Sequence, residues 1–208
     1  LRSTQIAGDE APRPLTEGES KELTEAGRLN SQVYQLWRRG RSKEALPLAR
    51  RCLQIRQRIL GDDHPDTALG FLNLGAQHVA LGHYQKAEPL YLQARDIHKR
   101  VLGEEHPSYA TSLNHLGLLY QSMGEYAKAE PLLWDAFDVN VRVAQRTVPW
   151  LSEAQAMQFI DENPIHAGPL LSVLRHRRKT PSRQAYSTVW RSRAPVTRLL
   201  IRPRLLAL

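Results

Sequence analysis

The sequence predicts an all-α protein, an α-solenoid of stacked helix hairpins. Three observations support this fold class. The sequence repeats itself at a period of 42 residues, apolar residues recur at three- and four-residue steps inside each repeat, and glycine and proline mark the ends of the helical segments. A three- and four-residue step is the period of one face of a helix, whereas a strand would alternate every second residue.

The repeat is clearest between residues 61–102 and 103–144, where 17 of the 42 positions are identical. Both units open with glycine, two acidic residues, histidine and proline. A more diverged first unit spans about residues 19–60. It shares with the second unit Gly40, Ala45, Pro47, Leu48, Ile55 and Arg58 at the same 42-residue offset. The sequence therefore predicts three repeats over residues 19–144.

Each repeat is predicted to form two antiparallel helices. In the third repeat, Pro107 suits the first turn of a helix, where its missing N–H needs no partner. Gly117 is expected to let the partner helix approach, and Gly124 to end the first helix in a left-handed conformation. The second helix carries an apolar stripe with alanines at the expected helix crossing: Ala129, Leu132, Leu133, Ala136, Val139 and Val143. These features predict one helix hairpin per repeat.

The chain resembles the tetratricopeptide repeats, in the 42-residue form of kinesin light chains and many bacterial scaffold proteins. Residues 101–107, 110–120 and 124–132 carry the resemblance, which extends over about 60% of the chain. It implies a right-handed solenoid whose first helices line a concave groove, with a protein or peptide as ligand. The first repeat departs from the pattern at Ser42 and Cys52, so it is compatible with either a true repeat or a cap.

The predicted groove residues follow from counting helical turns outward from the buried positions. They are Asn30, Tyr34, Trp37 and Arg38 in the first repeat, Leu72, Asn73, Ala76 and Val79 in the second, and Asn114, Leu118 and Gln121 in the third. An asparagine side chain can bond both the N–H and the C=O of an extended peptide. Asn73 and Asn114 are equally compatible with a role in supporting neighbouring helices.

The sequence predicts no catalytic residue, no cofactor and no metal site. His64 and His106 each precede a proline in an inter-repeat turn, so the repetition accounts for them structurally. No pair of histidines has the spacing that places two metal ligands on one helical face. Cys52 aligns with alanines at the helix crossing, which favours packing over nucleophilic chemistry. We therefore expect a protein that is not an enzyme.

The segments outside the repeats differ from them in composition. Residues 1–18 are predicted to be a flexible lead-in. Residues 145–208 are predicted to form a helical cap followed by a basic tail, because residues 163–208 contain ten basic and no acidic residues. Since the whole chain has a net charge of +8, residues 1–162 carry a net charge of about −2. That part of the chain therefore offers no broad basic face. The chain begins without methionine, which suggests a fragment or a processed chain.

Several functions are compatible with this organisation. The favoured one is a non-catalytic scaffold that binds a peptide or a partner helix in the groove. After the repeats, one further resemblance is carried by residues 151–153, Gln155, residues 185–186, 189–190 and 194–196, and Arg198. Through these residues the segment is similar to the one that precedes the caspase-like CHAT domain in bacterial proteins. This resemblance implies a regulatory portion whose catalytic histidine and cysteine are not in this chain. Nucleic-acid binding through the basic tail is a less favoured alternative. The single cysteine favours a reducing, cytoplasmic location, and no apolar run is long enough to span a membrane.

Overall fold

The computed structural model describes residues 13–147, which form six α-helices and no strand. In chain order the helices are α1 (Glu17–Arg38), α2 (Ser42–Leu60), α3 (Pro65–Ala80), α4 (Tyr84–Leu102), α5 (Pro107–Ser122) and α6 (Tyr126–Thr147). The predicted six helices in three hairpins, and with them the all-α solenoid, are confirmed.

Consecutive hairpins pack through the second helix of one hairpin and the first helix of the next. Helix α1 packs on α2, α3 on α4, and α5 on α6, while α2 and α4 also pack against the first helix of the following hairpin. The first helices α1, α3 and α5 contact one another far less. One apolar cluster runs through all three hairpins. A space is therefore left along the side where the first helices face each other.

The turns between hairpins are built from the residues that repeat most strictly. A proline fills the first turn of both α3 and α5. Nδ1 of His64 accepts a hydrogen bond from the Asp66 N–H at 3.1 Å, and His106 does the same for Ser108. Each histidine thus satisfies an N–H that has no partner inside its own helix. The predicted structural role of these histidines is confirmed.

The predicted close helix crossings are also present. A Cβ atom built on Gly117 would lie 2.6 Å from Cγ of Leu133 on the partner helix, and Ala129 beside it is fully buried. Gly124 has a φ of 77°, the left-handed conformation expected at that helix end. Cys52, the equivalent of Ala94 and Ala136, is buried between α1 and α2, and its Sγ donates to the Ala26 carbonyl at 3.3 Å. Burial raises the pKa of the Cys52 thiol, which disfavours the nucleophilic thiolate.

The first helix begins earlier than the sequence suggests. Residues 17 and 18, assigned to the lead-in, already belong to α1 because Thr16 and Glu19 form a reciprocal cap. Hydrogen bonds from Arg13 and Thr16 lower the pKa of Glu19 to about 2. At the other end α6 continues to Thr147. The rest of the predicted lead-in, cap and basic tail, residues 1–12 and 148–208, lies outside the described residues.

Candidate functional site: the concave groove

The first helices of the three hairpins enclose a cavity of about 500 Å³. Helix α1 contributes one wall, α3 the floor and α5 a single residue. The lining residues are Asn30, Ser31, Val33, Tyr34, Gln35, Trp37, Asn73, Ala76, Gln77 and His115. The lining contains no carboxylate and no lysine or arginine. Its volume lies within the range of protein pockets that bind ligands, and its lining is mostly uncharged.

Two exposed aromatic side chains stand at the α1 wall. Tyr34 is 56% exposed and Trp37 is 45% exposed, and their ring centroids are 6.0 Å apart. The guanidinium of Arg38 lies 5.9 Å from the centroid of the Tyr34 ring. Large rings left in water raise the free energy of the unbound protein, and tyrosine, tryptophan and arginine supply much of the binding energy at protein interfaces. This aromatic wall is the most distinctive apolar surface of the groove.

The floor of the groove is polar and partly buried. Nδ2 of Asn73 donates to Oδ1 of Asn30 at 2.5 Å, which joins α3 to α1. Gln77 lies one turn further along α3 and is only 2% exposed. Its Nε2 makes one long hydrogen bond of 3.5 Å to the Asn73 carbonyl, and its Oε1 has no hydrogen-bond partner. A buried side-chain oxygen without a partner is uncommon in folded proteins.

The structure brings together five of the predicted groove residues. Asn30, Tyr34, Trp37, Asn73 and Ala76 all line the cavity, with Arg38 stacked on Tyr34 at its edge. Both interpretations of Asn73 have support, because it faces the cavity and also bonds a neighbouring helix. Three of these five residues, Asn30, Tyr34 and Trp37, lie on α1.

The assignment of Leu72 to the groove is wrong. Its side chain is 2% exposed and belongs to the main apolar cluster. It also lines a separate cavity of about 230 Å³, together with Leu69 on its own helix, His98 and Thr111. Successive residues on a helix point about 100° apart, so Leu72 cannot face the groove beside Asn73.

The predicted residues of the third repeat lie outside the cavity. The 42-residue offset pairs Asn73 with His115, and His115 is the residue that lines the cavity from α5. Asn114 is the equivalent of the buried Leu72 instead, and it is half-buried. Leu118 and Gln121, further along α5, are half-buried as well. Applied from Asn73, the repeat offset selects His115, whereas applied from Asn30 it selects Leu72 and Asn114.

Two further residues of α3 lie in positions that counting helical turns did not predict. Val79 on α3 was predicted to face the groove, but it is half-buried and packs against the main cluster. Gln77 was not among the predicted groove residues, although its side chain lines the cavity. Its signal in the sequence is a glutamine where the next repeat has Leu119.

Other kinds of site find little support in the part of the chain that the structure covers. Within residues 13–147, no three histidine, cysteine or acidic side chains come close enough to hold a metal ion. Nor does any helix in that range have the length and apolar character needed to cross a membrane. The buried His98 contacts Ser112, with Nδ1 and Oγ 2.8 Å apart, and is accounted for by packing.

Stacked helix hairpins with a groove along their first helices define the class of helical-repeat proteins. A model of the tetratricopeptide repeat matches residues 29–97 and, in an overlapping match, residues 68–139. Together these matches span more than half of the chain, so the protein belongs to the tetratricopeptide repeat family. Members of this family generally bind other proteins and are generally not catalytic.

Several solved structures have the same fold. BtubC (BKLC) from P. vanneervenii superposes with a TM-score of 0.63 at 20% identity, over 83% of this chain and 64% of its own. The chain thus spans less than two thirds of BtubC. Nearly identical TPR-like repeats of a kinesin-light-chain-type protein from Podosopora anserina give a TM-score of 0.54 at 19% identity, covering 88% and 98% of the two chains. A variant of those repeats gives 0.53 at 17% identity, covering 91% and 99%. No curated protein matches the sequence.

Proposed function

We propose that this protein is a non-catalytic scaffold that binds an extended peptide, or one face of a partner helix, in the groove formed by α1, α3 and α5. The observation that carries the proposal is the pairing of an exposed aromatic wall with a polar floor around one cavity. Tyr34 and Trp37 supply an apolar surface, and Asn73 and Gln77 supply hydrogen-bonding groups beside it. An interface of this composition combines an aromatic anchor with directional polar contacts.

The character of the groove favours a peptide over a small charged metabolite. The cavity of about 500 Å³ is partly open to solvent and has no aspartate, glutamate, lysine or arginine in its lining. A phosphate or a carboxylate would lose its hydration there with no cation in the lining to replace it. An uncharged peptide segment instead buries apolar side chains and offers amides to the floor.

The other functions remain tied to residues 148–208. The CHAT-type regulatory role and nucleic-acid binding both depend on sequence features in that segment, which lies beyond the described residues. No observation within residues 13–147 favours either over peptide binding. We therefore propose the scaffold function, and the cytoplasm as its site because the one cysteine is a free thiol.

A peptide selection on the intact protein tests the proposal. Random 12-residue peptides displayed on phage would be selected, and the enriched sequences would be synthesised and titrated by calorimetry. We expect Tyr34→Ala and Trp37→Ala each to weaken binding by about tenfold or more, because exposed aromatic anchors carry much of the binding energy. Val101→Ala is the matched control, since Val101 is 45% exposed but lies on α4.

The salt dependence separates the groove from the basic tail. Groove binding through apolar and neutral polar contacts should change little between low and high ionic strength, whereas a DNA duplex bound by arginines should be released steeply as salt rises. Peptides whose affinity survives both aromatic substitutions and falls with salt would show that the groove is not the binding site.

A further inference from the structure

Gln77 occupies a position that the fold itself does not need to be polar. The equivalent residue in the third repeat is Leu119, which is 1% exposed and belongs to the apolar core. Gln77 is equally buried, yet its Oε1 accepts no hydrogen bond from the protein. A buried polar atom without a partner lowers stability relative to an apolar residue of the same size. Leucine at position 77 would therefore suit the unbound fold better than glutamine.

The surroundings of Gln77 point to what the carboxamide can bind. Its side chain lines the groove cavity, within the same space as the rings of Tyr34 and Trp37. Its Nε2 makes only the 3.5 Å contact to the Asn73 carbonyl, and its Oε1 has no partner. Both ends of the carboxamide can therefore take a further hydrogen bond. A group that both donates and accepts, as another amide does, would satisfy both ends.

The charge of the cavity lining limits which hydrogen-bond donor could bind Oε1 of Gln77. No carboxylate lines the cavity, so an ammonium or guanidinium donor would be buried without a counter-charge. The guanidinium of Arg38 over Tyr34 adds positive potential at the edge of the cavity. The donor that fits is therefore a neutral amide N–H.

We propose that Gln77 is a specificity-determining residue of the groove, whose Oε1 accepts a hydrogen bond from a neutral amide of a bound peptide anchored on Tyr34 and Trp37. This inference rests on the proposed peptide-binding function. The amide belongs either to the peptide main chain or to an asparagine or glutamine side chain. In both cases the glutamine makes the free protein less stable and the complex more selective.

The test uses peptides selected on the wild-type protein and the variant Gln77→Leu. The core accepts leucine at this position, as Leu119 shows, so the variant is expected to fold with a higher urea midpoint than the wild type. The same variant should bind the selected peptides about tenfold more weakly or worse, since the ligand amide loses its acceptor. The matched control is Gln93→Leu, an exposed glutamine on α4 that does not line the cavity, for which we expect less than a threefold change.

The peptide side of the experiment identifies the amide. Each main-chain N–H of the selected peptide would be methylated in turn, and each asparagine or glutamine replaced by alanine. The modification that weakens binding to the wild type, but has no further effect on Gln77→Leu, locates the donor in the main chain or in a side chain.

The outcomes separate this inference from the function on which it rests. Wild-type affinity in Gln77→Leu, alongside weakened binding in Tyr34→Ala, would overturn the role of Gln77 and leave peptide binding intact. Loss of both stability and affinity in Gln77→Leu would show that the glutamine is structural. Failure to select any groove-dependent peptide would overturn both proposals.

Discussion

Replacing Gly75 by alanine should destabilise the protein relative to the same replacement at Gly27. Both glycines lie inside helices, Gly75 in α3 and Gly27 in α1. A Cβ atom on Gly75 would lie 2.7 Å from Cδ1 of Tyr91 and closer still to Cε1, whereas a Cβ on Gly27 meets nothing within 4 Å. Tyr91 is 2% exposed and belongs to the main apolar cluster, where close packing resists movement of its ring.

The comparison isolates the packing cost of one methyl group. In a helix interior, alanine is more stable than glycine by about 1 kcal/mol, and this gain should appear in full at Gly27. At Gly75 the same gain is opposed by overpacking, which typically costs about 1–3 kcal/mol. The difference in free energy of unfolding between the two variants should therefore be about 1–3 kcal/mol, with Gly75→Ala the less stable.

Urea unfolding followed by the helical circular dichroism signal measures this difference. At a slope of about 2 kcal/mol per molar urea, a difference of about 2 kcal/mol separates the midpoints by about 1 M. The two variants share the wild-type slope if only packing changes. Equal midpoints for Gly75→Ala and Gly27→Ala would refute the assignment of Gly75 to a crossing too close for a Cβ atom.

Three further predictions follow from the described contacts. Ala129→Leu should overpack the third hairpin and lower the free energy of unfolding by about 1–3 kcal/mol, so an unchanged urea midpoint would contradict the crossing. Thr16→Ala should cost about 0.5–2 kcal/mol through loss of the helix cap, and intact hydrogen-exchange protection in the first turn of α1 would argue against it. Burial lowers the pKa of His98 below 6.5 in the folded protein. As pH falls, the unfolded chain therefore binds the proton first. The contribution of His98 to stability is complete above about pH 6.5 and is lost as pH falls through the folded pKa. His98→Asn, which copies Asn140 of the third repeat, should reduce the loss of urea midpoint between pH 7.5 and 5.5, and an identical loss would remove His98 as its cause.

The sequence alone determined the fold and its repeat geometry. A 42-residue period with glycine at the helix ends and small residues at the crossings leaves few alternatives to stacked helix hairpins, because each feature is a local requirement repeated twice or more. The exposed aromatic pair of α1 could also be recognised, since Tyr34 and Trp37 lie off the apolar stripe that packs the hairpin. These conclusions depend on residues close together in the chain or related by the repeat.

Only the tertiary structure decided which polar residues meet in the groove. Asn30 and Asn73 are brought together across two hairpins, and His115 closes the cavity from a third. Leu72 and Asn73 are neighbours in sequence but face opposite environments, since a rotation of about 100° separates core from groove. The lack of a hydrogen-bond partner for the buried Oε1 of Gln77 depends on every side chain packed around it. Such a property belongs to the assembled helices and is not encoded in any single repeat.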